Sequence, residues 1–295
     1  MTAKRRLDAL LAERGLFPSR SRAAASVMAG EVFIAPPSAG TAGGSAVGER
    51  RAGKPGELVD VETVVRILER PAFASRGGVK LANALDACRL EVGGRRALDV
   101  GASTGGFTDC LLQRGAREVV AVDVGYGTLD YRLRTDPRVQ VLERTNARAL
   151  TLATLPASRV SPNQPPDLAT IDVSFISLSK VLGAVLGCLA RPYDVLALVK
   201  PQFELGRGRV GKGGVVRSGA DRREALLGAG AAAIELGAAV VGCYSSGLPG
   251  PKGNRETFLW LTDPATGRGT RELDELERLA LAAEPADGES GVSAG

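Results

Sequence analysis

From Val79 onward the sequence alternates short apolar runs with longer amphipathic stretches, and this rhythm restricts the fold more than any other feature. Apolar runs fall at 97–100, 118–123, 139–142, 168–173, 193–199, 238–244 and 257–262. Helical spacing occupies 79–89, 105–114, 178–190 and 221–236. Runs this short suit strands better than buried helices. Parallel neighbours need a crossover between them, so strand–helix alternation predicts an α/β chain with a doubly wound, Rossmann-like sheet. A charged helix is expected over 271–283, and the tail EPADGESGVSAG (284–295) reads as disordered. With 295 residues, 44% of them hydrophobic, the chain suits one large domain and a small one.

The small domain is expected at 1–67, a linker at 68–78 and the large domain at 79–270. Residues 4–34 read as two short helices and a strand. Leu7, Leu10 and Leu11 are spaced for one helix face. Ser19 can cap a second helix, which Gly30 ends before a strand at 32–34. Six cations (Lys4, Arg5, Arg6, Arg14, Arg20 and Arg22) stand here against three acids. Arg20 and Arg22 open the second helix, where the dipole disfavours cations. They are either a solvated face or the contact for an anionic partner. Residues 35–56, APPSAGTAGGSAVGERRAGKPG, read as a flexible excursion, after which LVDVETVVRIL resumes strand character.

Composition removes several chemistries. The chain has no histidine, so imidazole bases, Ser-His-Asp triads and histidine metal ligands are excluded. A general base must be Asp, Glu, Lys, Tyr or Cys. Cys88, Cys110, Cys188 and Cys243 include no C-x-x-C pair, so neither a zinc site nor a redox motif is indicated, and scattered thiols fit a reducing, cytoplasmic setting. The N-terminus MTAKRRLDALLAERG lacks an apolar signal core, and no run of about 18 apolar residues is present to span a membrane. The 38 basic and 33 acidic side chains leave a net +5, compatible with a polyanion but not diagnostic of one.

The stretch LDVGASTGGFTD (98–109) places a glycine loop directly after the first strand of the sheet, where doubly wound folds bind ligands. Its pattern, Asp99-x-Gly101-x-Ser103-x-Gly105-Gly106, has Ser103 where a pyrophosphate-binding fingerprint has its middle glycine. That argues against a dinucleotide and favours a nucleoside ligand without phosphates, such as S-adenosylmethionine. A tight turn without a ligand and a dinucleotide site are the alternatives. Asp123 ends the second strand about 22 residues after Gly101, where a carboxylate accepts from ribose hydroxyls. Asn146, after the third strand, could meet the adenine edge.

Asp172 and Lys200 end the fourth and fifth strands and so share the edge of the glycine loop. An ammonium directly after the buried run VLALV needs a partner, and Asp172 is the candidate, in catalysis or in a structural ion pair. Glu256 opens the run ETFLWLT and reaches the same edge if that strand is antiparallel. Lys80, near a helix start, reads by itself as surface decoration. The fourth strand continues as DVSF rather than as the N-P-P-Y clamp of base-amine methylation. A sulfonium methyl is already electrophilic, so a hydroxyl acceptor needs only orientation and a route for its proton. A buried lysine held by carboxylates can supply both, and no metal is required.

These residues resemble a known family. Lys80, Asp172, Lys200 and Glu256 match, in order and context, the K-D-K-E tetrad of RNA ribose 2′-O-methyltransferases of the RrmJ/FtsJ-like type. The segments SRGGVKL, LDVGASTGGFTD, VAVDVGYG, ERTNAR, DVSFISL, VKPQFELGR and GKGGVVR are similar to the TlyA family, also labelled haemolysin A. The resemblance spans about 4–263. It implies a mostly parallel methyltransferase sheet with one antiparallel strand, and an N-terminal alpha-L RNA-binding motif that would use Arg5, Arg6, Arg20 and Arg22. It implies 2′-O-methylation of cytidine in 16S or 23S ribosomal RNA from S-adenosylmethionine. Lys200 would orient or deprotonate the hydroxyl, Asp172 and Glu256 would position it, and Lys80 would complete the group. Asp99, Gly101, Ser103, Gly105, Gly106, Asp123 and Asn146 would form the cofactor site. The 35–56 stretch is longer than the family's usual tight turn. Other readings are a non-catalytic ribosome-assembly factor, a nicotinamide oxidoreductase, which the Ser103 loop disfavours, and a lytic protein, for which no basic amphipathic helix speaks.

Overall fold

The computed structural model describes residues 4–37, 41, 42, 45–68, 72–211, 213–250 and 252–284. The chain divides into two compact units, Met1–Pro71 and Ala72–Gly295.

In the first unit the strand Lys4–Arg6 pairs antiparallel with Leu58–Asp60, and helices Leu7–Glu13 and Arg20–Met28 follow it. An antiparallel sheet runs in the order Arg50–Arg51, Val32–Ala35, Val64–Ile67. Leu7, Leu10 and Leu11 are buried with Ala23, Val27, Val32 and Ile34, as their helical spacing dictates. Ser19 caps the second helix, its Oγ accepting from the Arg22 N–H at 3.2 Å. Residues 38–40, 43 and 44 of the expected excursion lie outside the described residues. Its later part is folded: Arg50–Arg51 pairs with Val32–Ala35, and Ala52 is buried. Phe33 supplies the reason, because the Arg51 and Arg66 guanidiniums lie 5.7 and 4.5 Å from its ring centroid.

The second unit is built on seven strands: β1 (Arg96–Val100), β2 (Glu118–Val122), β3 (Val139–Leu142), β4 (Leu168–Ile171), β5 (Asp194–Val199), β6 (Ala239–Ser245) and β7 (Thr257–Thr262). Their order is β3-β2-β1-β4-β5-β7-β6, and β7 runs antiparallel to both neighbours. The expected doubly wound sheet with one antiparallel strand is present. Helices are α1 (Arg76–Cys88), α2 (Gly106–Gln113), α3 (Tyr131–Arg134), α4 (Leu182–Leu186), α5 (Pro201–Glu204), α6 (Gly219–Glu235) and α7 (Leu273–Ala283). Strand β5 shows why the sheet needs cover on both faces. Val195, Ala197 and Val199 join the core that includes α6 and α7, whereas Leu196 and Leu198 join the opposite core with Leu81 and Leu111. Full burial of each leucine contributes about 2 kcal/mol.

Three expectations need correction. The helix expected at 178–190 is a 3-10 turn, Leu178–Lys180, followed by the single short helix α4. Gly183 and Gly187 weaken this stretch by about 1 kcal/mol each relative to alanine. Of the expected linker, 69–71 lie outside the described residues, whereas 76–78 form the first turn of α1. Gly77 and Gly78 do not mark flexibility: a Cβ on Gly78 would collide with the Phe73 ring and lie 2.8 Å from the Gly106 carbonyl. Glu284, placed in the expected disordered tail, is buried and ion-paired to Arg222 at 2.8 Å; 285–295 lie outside the described residues.

Candidate active site

At the carboxyl edge of the sheet a cavity of about 710 Å³ opens, with Gly101, Asp172, Lys200 and Glu256 in its wall. Register explains the convergence. Val199 of β5 faces Thr257 of the antiparallel β7, so Lys200 and Glu256 come next on the same rim. Ile171 pairs with Ala197, which brings Asp172 alongside. Lys80 arrives from α1, whose residues Arg76, Lys80 and Asn83 share one face at i, i+4 and i+7. Arg76 donates to the Pro249 carbonyl at 3.0 Å and Asn83 to the Ser246 carbonyl at 3.0 Å. Lys80 lies between them and donates to Glu256 Oε2 at 2.5 Å.

The four charges form two pairs. Lys200 Nζ lies 2.6 Å from Asp172 Oδ1 as an ion pair, and directs its hydrogen bond to Ser174 Oγ at 2.9 Å. Lys80 and Lys200 are each 8% exposed and Glu256 is 3% exposed. Burying an unpaired ammonium costs several kcal/mol, so each carboxylate is obligatory for its lysine. The four charges sum to zero and leave the amine of Lys200 at a cavity wall.

The glycine loop has more structural duties than expected. Gly101 has φ +88°, and a Cβ there would lie 2.6 Å from the Asp172 carbonyl, so only glycine lets β1 turn this close to β4. Gly101, Ser103 and Gly106 line the cavity together with Ala102 and Thr104. Gly105 instead packs against Leu129 and Leu133, and Gly106 also abuts Ser75 and Gly78. Asp123 accepts from the Ser103 N–H at 2.7 Å and the Gly125 N–H at 2.6 Å, fixing the loop from the side. Asn146 is exposed and caps a 3-10 turn by accepting from the Arg148 N–H at 3.0 Å. Asp99 lies fully buried beneath the loop, accepting from Thr108 Oγ1 at 2.6 Å and Thr170 Oγ1 at 2.9 Å. The structure therefore brings Gly101, Ser103 and Gly106 to the cavity wall, and sets Asp99, Gly105, Asp123 and Asn146 behind or beside it. A wall of backbone and small side chains fits a nucleoside carrying an amino acid.

Burial raises the Asp99 carboxyl from 3.8 to about 6, against the pull of the two threonine hydroxyls. The native state thus holds this proton more tightly than the unfolded chain. Its stabilising effect is complete below pH 3.8 and is lost as pH rises through about 6. Asp99→Asn is expected to flatten that decline by on the order of 2 kcal/mol. Thermal melts of both proteins from about pH 4 to pH 7 test this, and parallel curves would contradict it. The thiols offer no base: burial pushes Cys110 and Cys243 to about 12 and Cys188 to about 11.

Ser174, Phe175, Phe203 and Asn254 also line the cavity and carry no sequence signal of their own. Phe175 has φ +65°, rare for an aromatic residue, and is 91% exposed. Its ring centroid lies 5.1 Å from that of Phe203. Among the described residues no cluster of His, Cys, Asp or Glu could hold a metal ion.

A family model described as FtsJ-like methyltransferase matches residues 73–263. The chain is 47% identical to the 16S/23S rRNA (cytidine-2′-O)-methyltransferase TlyA of Mycobacterium tuberculosis over 288 residues, 97% of this chain and all of that protein. It belongs to the FtsJ-like methyltransferase family, in its TlyA branch. Hemolysin A of Brachyspira hyodysenteriae is 35% identical over 251 residues, 85% of this chain and 97% of its own. A solved structure from Streptococcus thermophilus, ascribed to the hemolysins, is 36% identical, covers 96% of both chains and superposes with a TM-score of 0.66. The FtsJ-like match starts at residue 73, three residues before α1, and ends just past β7, so it spans every element that carries the two ion pairs.

Proposed function

We propose that this FtsJ-like methyltransferase methylates the 2′-hydroxyl of cytidine in ribosomal RNA, using S-adenosylmethionine. The juxtaposition of Lys200 and Asp172 at 2.6 Å, on the rim that also carries the glycine loop, carries this reading. S-Adenosylmethionine supplies an electrophilic methyl group. Gly101, Ser103 and Gly106 would hold it on one side of the cavity. Lys200, anchored by Asp172 and Ser174, would meet the ribose hydroxyl and orient its lone pair toward the donor. As the new O–C bond formed, the methyl–sulfur bond would break to leave S-adenosylhomocysteine, and the hydroxyl proton would pass to the Lys200–Asp172 pair, whose carboxylate can accept it. Glu256 and Lys80 complete the electrostatic frame. Phe175 and Phe203 at the cavity offer stacking faces for a base taken out of its helix. Incubation with ribosomal subunits and labelled donor tests the reading. Methyl incorporation at a cytidine 2′-oxygen is expected, and RNA binding without incorporation would make the chain an assembly factor instead.

The first unit would hold the RNA. Arg5, Arg6, Arg20 and Arg22 are all exposed. Asp8, itself buried, pairs with Arg6 at 2.8 Å and Arg20 at 3.4 Å, which orders two of the four guanidiniums. Arg5→Ala and Arg22→Ala are each expected to weaken RNA binding and lower the slope of log affinity against log salt by about 1. Titrations at several salt concentrations measure this, and an unchanged slope counts against a phosphate contact. Among the described residues no helix is long and apolar enough to cross a membrane. We place the chain in the cytoplasm with the ribosome.

A further inference from the structure

We propose that Asn254 is a positioning residue that holds Glu256, and through it Lys80, in place for methyl transfer. The inference rests on the function proposed above and deepens it. Asn254 is 2% exposed, yet lines the cavity two residues before Glu256. Its carboxamide is engaged through both its nitrogen and its oxygen. Nδ2 donates to the Gly214 carbonyl at 2.8 Å, and Oδ1 accepts from the Val216 N–H at 2.8 Å. Its own carbonyl accepts from the Gly250 N–H at 2.8 Å, which closes the turn that leads into Glu256. One side chain therefore ties the glycine-rich segment between β5 and α6 to the loop between β6 and β7.

Glu256 is confined by Gly250 as well. A Cβ on Gly250 would collide with Glu256 Oε1, so the carboxylate rests against bare backbone. Lys80 takes the other oxygen. Gly250 and Asn254 thus fix where the carboxylate sits, and the carboxylate fixes the Lys80 amine. Neither residue touches the reacting atoms by this account. Both act through Glu256.

The test uses the full chain, ribosomal RNA substrate, and double-mutant cycles with Glu256→Gln. Misplacing a catalytic group by about 1 Å costs roughly 10²-fold, so Asn254→Ala is expected to lower kcat by about that factor. S-Adenosylmethionine affinity, read by calorimetry, should stay within about threefold, because the glycine loop forms the other wall. In the Glu256→Gln background, Asn254→Ala should add less than about a twofold further loss, since both changes remove one function. Asn254→Asp keeps the shape and the Val216 bond while replacing the donor to Gly214, and should fall between. Gly250→Ala should reproduce the Asn254→Ala loss and the same non-additivity. Multiplicative losses, an unchanged kcat, or failure of all three variants to fold would each overturn the assignment. Absence of methyl transfer by the wild-type protein would instead defeat the proposed function itself.

Discussion

Lys200→Ala is expected to lower methyl transfer by about 10²- to 10⁴-fold while S-adenosylmethionine affinity stays within about threefold. The alanine removes the amine that lies 2.6 Å from Asp172 and 2.9 Å from Ser174, and leaves the glycine loop intact. Calorimetric titration of the donor and incorporation of labelled methyl separate the two effects. Lys200→Arg is not a rescue, because a planar guanidinium cannot place a single amine at the site of Nζ. Asp172→Asn should weaken transfer too, since it leaves an ammonium 8% exposed without its counter-charge. Full activity of Lys200→Ala would remove this lysine from the chemistry.

The second large effect concerns stability. Glu284 and Arg222 are 5% and 8% exposed, and Arg222 Nε donates to Glu284 Oε2 at 2.8 Å. Arg222 also donates to the Arg217 carbonyl at 2.6 Å, and Arg223 to the Glu284 carbonyl at 2.9 Å. Glu284→Ala leaves a guanidinium buried without its anion, which typically costs about 3–5 kcal/mol. For a unit of this size that corresponds to a Tm lowered by roughly 10 °C. The double variant Arg222→Met, Glu284→Leu should recover most of the loss, because two apolar side chains need no counter-charge. A single variant that melts like the parent would show that α7 is fastened by its apolar face alone.

The sheet was legible because each strand is a short apolar run between turn residues, and the seven expected strands are the seven present. Lys200 was legible for the same reason: a charge directly after VLALV cannot be accidental. Glu256 was legible only conditionally, since no periodicity says which way β7 runs. Lys80 looked like a surface lysine, because nothing local reveals that the α1 face bearing Arg76 and Asn83 docks onto the loop before β7. Ser174 and Asn254 left no trace, because their roles lie in hydrogen bonds to residues 26 to 40 positions away. Spacing alone assigns the glycines at 77, 78, 105 and 106 to linker and ligand loop, but close approach of α1 to the loop accounts for Gly78 and Gly106, and packing against Leu129 and Leu133 accounts for Gly105. The helix expected at 178–190 failed because apolar spacing alone does not register the cost of Gly183 and Gly187.

Strand β7 enters the sheet backwards, between two strands made earlier, and the residue just before it, Glu256, neutralises an amine on α1 176 positions upstream. A polypeptide still emerging during synthesis therefore cannot assemble this centre piecemeal. Until residue 256 docks, Lys80 has no counter-ion and the wall of the reaction chamber is missing a side. The cavity wall is thus completed by a contact between residues far apart in the chain, formed only when the closing strand slots home.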